Sequence, residues 1–313
     1  MCRQLSQLVI LPLLLTIFGC EQPSSLRLEK PDPKLVVVSN FTRDKAVQVF
    51  VSKSQSILDE ETTEYVLDAT VEIYEDDVYL ETLSLVEPMH AEAEVPYYTT
   101  RNLVPKVNTT YTIQVDASCC ASATAKSRIP NSIDFSSVSI SDFTLVESQD
   151  TEEFFVNYRV KMSFEDPGEE KNYYHISLLQ QINEYSFNEG DTAITDSYHL
   201  SLVFNPEENG NGRVAHINGG LLLEDNMSND GEVIDFEIPL NIRLKKNEEL
   251  LGQLFLELRA VTEEYYRYFS DLSLQKESSG SPFAEPVFIY DNIDGGLGVF
   301  AGYNSSLDSL YLQ

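Results

Sequence analysis

Asn226, Ser228, Asp230, Gly231 and Glu237 stand at positions one, three, five, six and twelve of a twelve-residue segment. That is the spacing by which a loop wraps oxygen donors around a calcium ion. Asn226 and Ser228 offer neutral oxygens where a hard divalent ion favours carboxylates, and the flanking residues pattern as strands rather than as paired helices. Asp230–Gly231 is equally a hairpin turn. Two readings therefore stand: a calcium loop with Asn226, Ser228, Asp230 and Glu237 as ligands, or a plain β-turn. Catalytic chemistry has less to build on. His90, His175, His199 and His216 are scattered, without the H-E-x-x-H spacing of a metalloprotease. No G-x-S-x-G elbow and no Cys–His signature occurs. Acid pairs such as Glu60–Glu61 and Asp76–Asp77 are expected in solvated loops, because carboxylates are abundant everywhere in this chain. No catalytic residue is assigned, and a protein without enzymatic activity is expected.

Cys20 has the more definite chemistry. Leu8 to Phe18 is an apolar run of eleven residues that follows Arg3. As a helix it spans about 16 Å, short of the about 30 Å of a bilayer core. It reads as the h-region of a signal peptide over residues 1–19. Gly19 then precedes Cys20, with Ile17 three positions before the thiol. This resembles the lipobox of bacterial lipoproteins, in which the cysteine is acylated and becomes the new N-terminus. The alternative is an ordinary secretory signal with an incidental cysteine. Each buried methylene of an acyl chain contributes about 0.8 kcal/mol, so two or three chains would hold the protein at a membrane.

The elements that would carry any site are β-strands. Tyr (17) and Phe (16), with many Val, Ile and Thr, favour strands over helices, and the 42% apolar fraction excludes a disordered acidic chain. Lys plus Arg number 21 against 51 Asp plus Glu, a net charge of −30, which would repel phosphate backbones and argues against nucleic-acid partners. Residues 20–33 hold three prolines and no periodicity and read as a lipidated tether. Short alternating runs at 35–41, 46–52, 69–77, 78–85, 109–118 and 123–130 predict an immunoglobulin-like sandwich over 34–130. Pro130 and the polar residues after it make a junction. Runs at 138–147, 154–166, 172–182, 198–204, 233–244, 252–261 and 299–303 predict a second antiparallel β-sandwich over 131–313.

One short amphipathic helix is expected in that second part. Thr262 can cap it, Glu263 and Glu264 suit its positive end, and Tyr265, Tyr268, Phe269 and Leu272 fall on one face. Gly295, Gly296 and Gly298 allow positive φ or close backbone packing, and Pro282 and Pro286 an extended loop. The GGLG run is no phosphate cradle, since no Lys-Ser/Thr follows it. Cys119 and Cys120 are neighbours that can join only through a strained eight-membered ring, and they read as structural or incidental.

With these strings in hand the chain resembles the DUF4249 lipoproteins of Bacteroidota. The resemblance is carried by PKLVVVSNF (33–41), ATVEIYEDD (69–77), YRVKMSFEDPGEEKNYYHISLL (158–179), ELRAVTEEYYRYFSDLSLQ (257–275) and GSPFAEPVFIYDNIDGGLGVFAGY (280–303). The residues around Asn209–Gly212 and the Cys119–Cys120 pair depart from it. The resemblance implies a sandwich followed by a second β domain, and a lipid-anchored accessory protein of the outer membrane, on its periplasmic or surface face, beside a TonB-dependent β-barrel transporter. It implies no catalytic residue. A stand-alone module binding a peptide, glycan, other small molecule or calcium is the alternative.

Overall fold

The computed structural model describes residues 32–55, 62–88, 94–168, 170–188, 191–203, 213–225, 231–278 and 287–311. Eight short strands come first: β1 (Leu35–Phe41), β2 (Gln48–Lys53), β3 (Thr70–Glu75), β4 (Val78–Thr82), β5 (Ser84–Val86), β6 (Tyr97–Thr99), β7 (Thr110–Asp116) and β8 (Ala123–Arg128). Longer ones follow: β9 (Phe135–Glu147), β10 (Glu153–Glu165), β11 (Tyr173–Asn188) and β12 (Asp191–Ser201), then the short β13 (Arg213–Ala215) and β14 (Leu221–Glu224). β15 (Val233–Lys245), β16 (Glu249–Val261), helix α1 (Glu263–Ser278) and β17 (Leu297–Tyr311) complete the order. The chain is mostly antiparallel β, arranged as sandwiches, with one helix among the described residues. That is the fold class its patterning predicts.

Alternation decides which side of each strand is buried. In β1, Leu35, Val37 and Phe41 point inward, and β7 buries Tyr111, Ile113 and Val115. These faces meet β2 and β3 in a first core. Asp76 and Asp77, at φ 46° and 65°, make the tight turn between β3 and β4, as their acidic pair between two apolar runs leads one to expect. A second core forms where β10 and β15 face β11 and β16, filled by residues such as Tyr158, Phe164, Leu240 and Leu256. Tyr158 crosses between the two layers, donating its hydroxyl to Gln180 Oε1 at 2.8 Å. Gln180 is wholly buried at a bulge of β11, and its Nε2 donates to the Gln181 and Gly252 carbonyls. A polar side chain is kept in the core here because the bulge leaves carbonyls that need a donor.

A single sheet runs through both cores, in the order β13-β14-β11-β16-β17-β1-β2-β6-β5, with β12 on the far part of β11. Its hinge is β17. Residues 297–302 run parallel to β1, and residues 303–311 run antiparallel to β16. The sandwich predicted over 34–130 thus takes a strand from residues 297–302. Phe300 enters the first core and stacks on Phe41 at 4.5 Å between centroids. Burying such a ring contributes about 2–3 kcal/mol.

Helix α1 covers the opposite face of this sheet. Tyr265 and Phe269 bury against Leu222, Val261, Val299 and Ala301, with Tyr268 and Leu272 beside them. Glu263 and Glu264 occupy the first turn and Lys276 the last, matching the helix dipole. Arg267 pairs with Glu263 one turn back at 3.4 Å. The side-chain cap expected from Thr262 is not made. Its carbonyl accepts from Tyr266 N at 3.1 Å, but its buried hydroxyl has no partner among the described residues.

Candidate binding cleft and the network beneath helix α1

Three segments meet at the start of α1: the end of β8, the turn between β10 and β11, and the corner from β16 into the helix. Between them lies a cleft of about 780 Å³. Lys126, Arg128 and Lys171 bring positive charge to it, against Glu170, Glu263 and Glu264. Each cation already holds an acid. Lys126 reaches Asp77 at 2.8 Å, Arg128 reaches Glu170 at 3.3 Å, and Lys171 reaches Glu224 at 3.0 Å. The Arg128 pair joins β8 to the turn after β10. All three are exposed pairs, worth about 0–1 kcal/mol each and easily exchanged for a ligand's own charges. Lys171 also stands 5.3 Å above the Tyr173 ring. The cleft therefore offers separated donors, separated acceptors and one aromatic face. That suits a polar ligand carrying both signs of charge. Among the described residues neither His nor Cys lines it.

Behind the cleft, under α1, lies a polar chain, half-buried at one end and buried at the other, whose hydrogen bonds fix their own direction. Arg259 donates to both oxygens of Glu257 at 2.8 Å, and its Nη1 donates to the Tyr265 hydroxyl at 3.3 Å. Tyr265 in turn donates to His175 Nδ1 at 3.0 Å, which leaves the proton of His175 on Nε2, facing the Gly219 carbonyl at 3.3 Å. His216 stacks on His175 with centroids 4.2 Å apart, and its Nδ1 accepts from Asn218 N at 3.1 Å. Its proton is then on Nε2, which has no partner among the described residues. Arg259 also lies 4.8 Å over the Tyr303 ring.

Electrostatics follow from burial. Desolvation, with the charges of His216 and Arg259, holds His175 well below the ordinary imidazole value. Desolvation and then Arg259 push His216 down to about 4. Burial pushes Tyr265 up to about 12, partly opposed by Arg259. Burial alone would raise Glu257, but the hydrogen bonds and charge of Arg259 outweigh it and leave the carboxyl below its usual range. The chain of donors ends on the Gly219 carbonyl, with His175, His216 and Tyr265 buried and Glu257 and Arg259 half-buried, so it fastens the helix to the sheet. It brings together two histidines that are far apart in sequence. The only sequence sign was the outward alternation of His175 in its strand, opposite a helix with an aromatic face.

The calcium-loop residues are only partly visible. Asn226, Ser228 and Asp230 lie outside the described residues, as do Cys20, His90, Pro282 and Pro286. Glu237 sits in β15, its oxygens engaged by Arg159 at 3.0 Å and Lys161 at 3.5 Å. The backbone N of Gly231 points to Asp166 Oδ2 at 3.4 Å, and the Tyr174 hydroxyl donates to Asp166 Oδ1. Among the described residues, no three His, Cys, Asp or Glu side chains gather as a metal site. His199 packs on Phe255. No described helix is long and apolar enough to cross a membrane.

A family model described as a domain of unknown function, DUF4249, matches residues 21–308. No curated protein matches the chain.

Proposed function

The chain belongs to the DUF4249 family, and from that premise we propose that it is a lipid-anchored, non-catalytic accessory protein of the bacterial outer membrane, working with a TonB-dependent β-barrel transporter in nutrient uptake. The observation that carries this reading is the position of Cys20. It follows Gly19 just after the apolar run Leu8–Phe18, and the family match begins at the next residue, 21. Acylation at that sulfur would leave the whole matched region as the mature, tethered protein. Cleavage there removes Arg3 and no acid, so the mature charge becomes 20 − 51 = −31. A tether of residues 20–33 would let the sandwiches reach a partner embedded in the same membrane.

The anchor is tested by Cys20→Ser. The wild-type chain is expected in the membrane fraction, released only by detergent, and the variant in the soluble fraction. A variant still bound to lipid would overturn the anchor. The partnership is tested by native purification in mild detergent, where a β-barrel protein is expected to travel with the chain. Recovery of the chain alone would remove the transporter from the reading.

The mixed-charge cleft supports a second reading, a stand-alone ligand-binding module. A zwitterionic peptide or a polar glycan suits its separated cations and acids better than an apolar molecule does. Calcium belongs to this reading through Asn226, Ser228, Asp230 and Glu237. A ligand bound only by the native state raises the melting temperature, and the two readings differ in whether any ligand does so without the transporter.

A further inference from the structure

Cys119 and Cys120 sit in the connection between β7 and β8. On an extended backbone, adjacent side chains point to opposite sides. Here the chain turns at this pair, and the two sulfurs face one another at 2.7 Å. That is within about 0.7 Å of an S–S bond of about 2.05 Å. Both side chains are half-buried against the first core. The connection is already held in place. Ser118 Oγ donates to Asp68 at 2.9 Å, Ser122 Oγ donates to Asp116, and Thr124 exchanges both backbone hydrogen bonds with Asp294. Much of the ordering that ring closure would demand has been supplied by folding. Cys119 also lines a pocket of about 370 Å³ together with Lys53, Glu64 and Tyr65. This gives a small thiol reagent a way in.

We propose that Cys119 and Cys120 form a vicinal dithiol that closes to an eight-membered-ring disulfide, with a small-molecule disulfide such as oxidised glutathione as the oxidant. The Cys119 thiolate attacks one sulfur of the oxidant, forming a mixed disulfide and expelling one thiolate. Cys120 then gives its proton to solvent and attacks Cys119 Sγ, expelling the second thiolate. Two protein thiols are oxidised and one disulfide is reduced to two thiols, so electrons and protons balance. Cys119, the sulfur that lines the pocket, makes the first attack, while burial and the neighbouring thiol push Cys120 up to about 11. Once Cys119 is in a mixed disulfide, the neighbouring thiol's share of that rise is gone and the share due to burial remains. The charge of Lys53 opposes the rise at Cys120 without overcoming it. The proposal needs neither a membrane anchor nor a partner, and so stands apart from the function proposed above.

The test uses the full-length protein in detergent. It is exposed to oxidised glutathione, alkylated with iodoacetamide in denaturant, and digested with trypsin. Residues 107–126 form one tryptic peptide holding both cysteines and no other. Its mass is expected to carry no alkyl group and to be two hydrogens lighter than the dithiol. Reduction before alkylation should restore two alkyl groups. In Cys120→Ser, glutathione should accumulate on Cys119, since the resolving thiol is gone. Two alkyl groups on the oxidised wild-type peptide, or glutathione retained on it, would overturn the proposal, as would the absence of an adduct in Cys120→Ser.

Discussion

Gly298→Ala is expected to cost about 2–6 kcal/mol of stability, the sum of backbone strain and overpacking of about 1–3 kcal/mol each. Gly298 has φ 112°, a conformation that a side chain strongly disfavours. A Cβ there would lie 2.1 Å from the Val37 carbonyl oxygen and 2.9 Å from its carbon. Those atoms belong to backbone paired in register with Gly298, so they cannot swing aside as a flexible side chain would. Any relief must come from parting β1 and β17, the pair through which one sheet serves both cores. Gly231→Ala is the matched control. Its φ is 79°, but among the described residues the nearest atom to an added Cβ is at 3.7 Å. Only the conformational strain remains, about 1–2 kcal/mol. Urea unfolding followed by circular dichroism should show the larger drop in midpoint for Gly298→Ala. Equal drops would mean that the close approach of β1 and β17 has no energetic weight.

That strand also shows what the sequence could and could not disclose. Val299 to Tyr303 is legible because aromatic and branched residues cluster there. The continuation to Tyr311 is not, because Asn304, Ser305, Ser306 and Asp308 have poor strand propensity. They are held in the sheet by the backbone of β16, which no side-chain pattern records. β14 escapes for a different reason. Leu221 and Leu223 fill the second core while Leu222 fills the space beneath α1, so both faces are apolar and the period of two disappears. In contrast β7 and β10, which bury one face, are plain in the sequence. The GGLG run is explained by the fold as well. Gly295 and Gly298 take positive φ, and Gly296 lies against the Leu35 carbonyl, so the glycines serve a close approach of backbones.

The candidate cleft was far less legible. Arg128, Glu170 and Glu263 come from three elements remote in the chain, and nothing about an isolated Arg after an alternating strand marks it as facing a helix start. The histidine network has the same character. His175 and His216 are ordinary as letters, and only the pairing of β11 with β14, beside the turn at Gly219–Gly220, stacks them. Alternation identifies buried faces; which two buried faces share a boundary is decided by topology, and both the cleft and the network lie on such boundaries.

Acid should therefore loosen the molecule through that network before it protonates most carboxylates. His216 has an ordinary value of 6.5 and a folded value of about 4, the latter set by burial and then by Arg259. Below 6.5 the unfolded chain takes a proton that the folded chain refuses. Stability conferred by the neutral ring is thus whole above 6.5 and lost as pH falls through about 4. At about 1.36 kcal/mol per tenfold, that gap is worth about 3 kcal/mol. His175, lowered by burial and by the charges of His216 and Arg259, acts in the same direction. The depressed carboxyls of Asp116 and Glu257 add their losses only near and below the carboxylate range. His216→Phe separates the two contributions. The ring can still stack on His175 and Phe269, but it cannot titrate, and Asn218 N loses its acceptor at every pH, at a cost of about 1 kcal/mol. Urea midpoints measured from pH 8 to pH 4 should be level above 6.5 and then fall for the wild type. The variant should start lower and fall less steeply between 6.5 and 4. Identical slopes in that interval would show that the buried histidine pair does not set the acid lability of the fold.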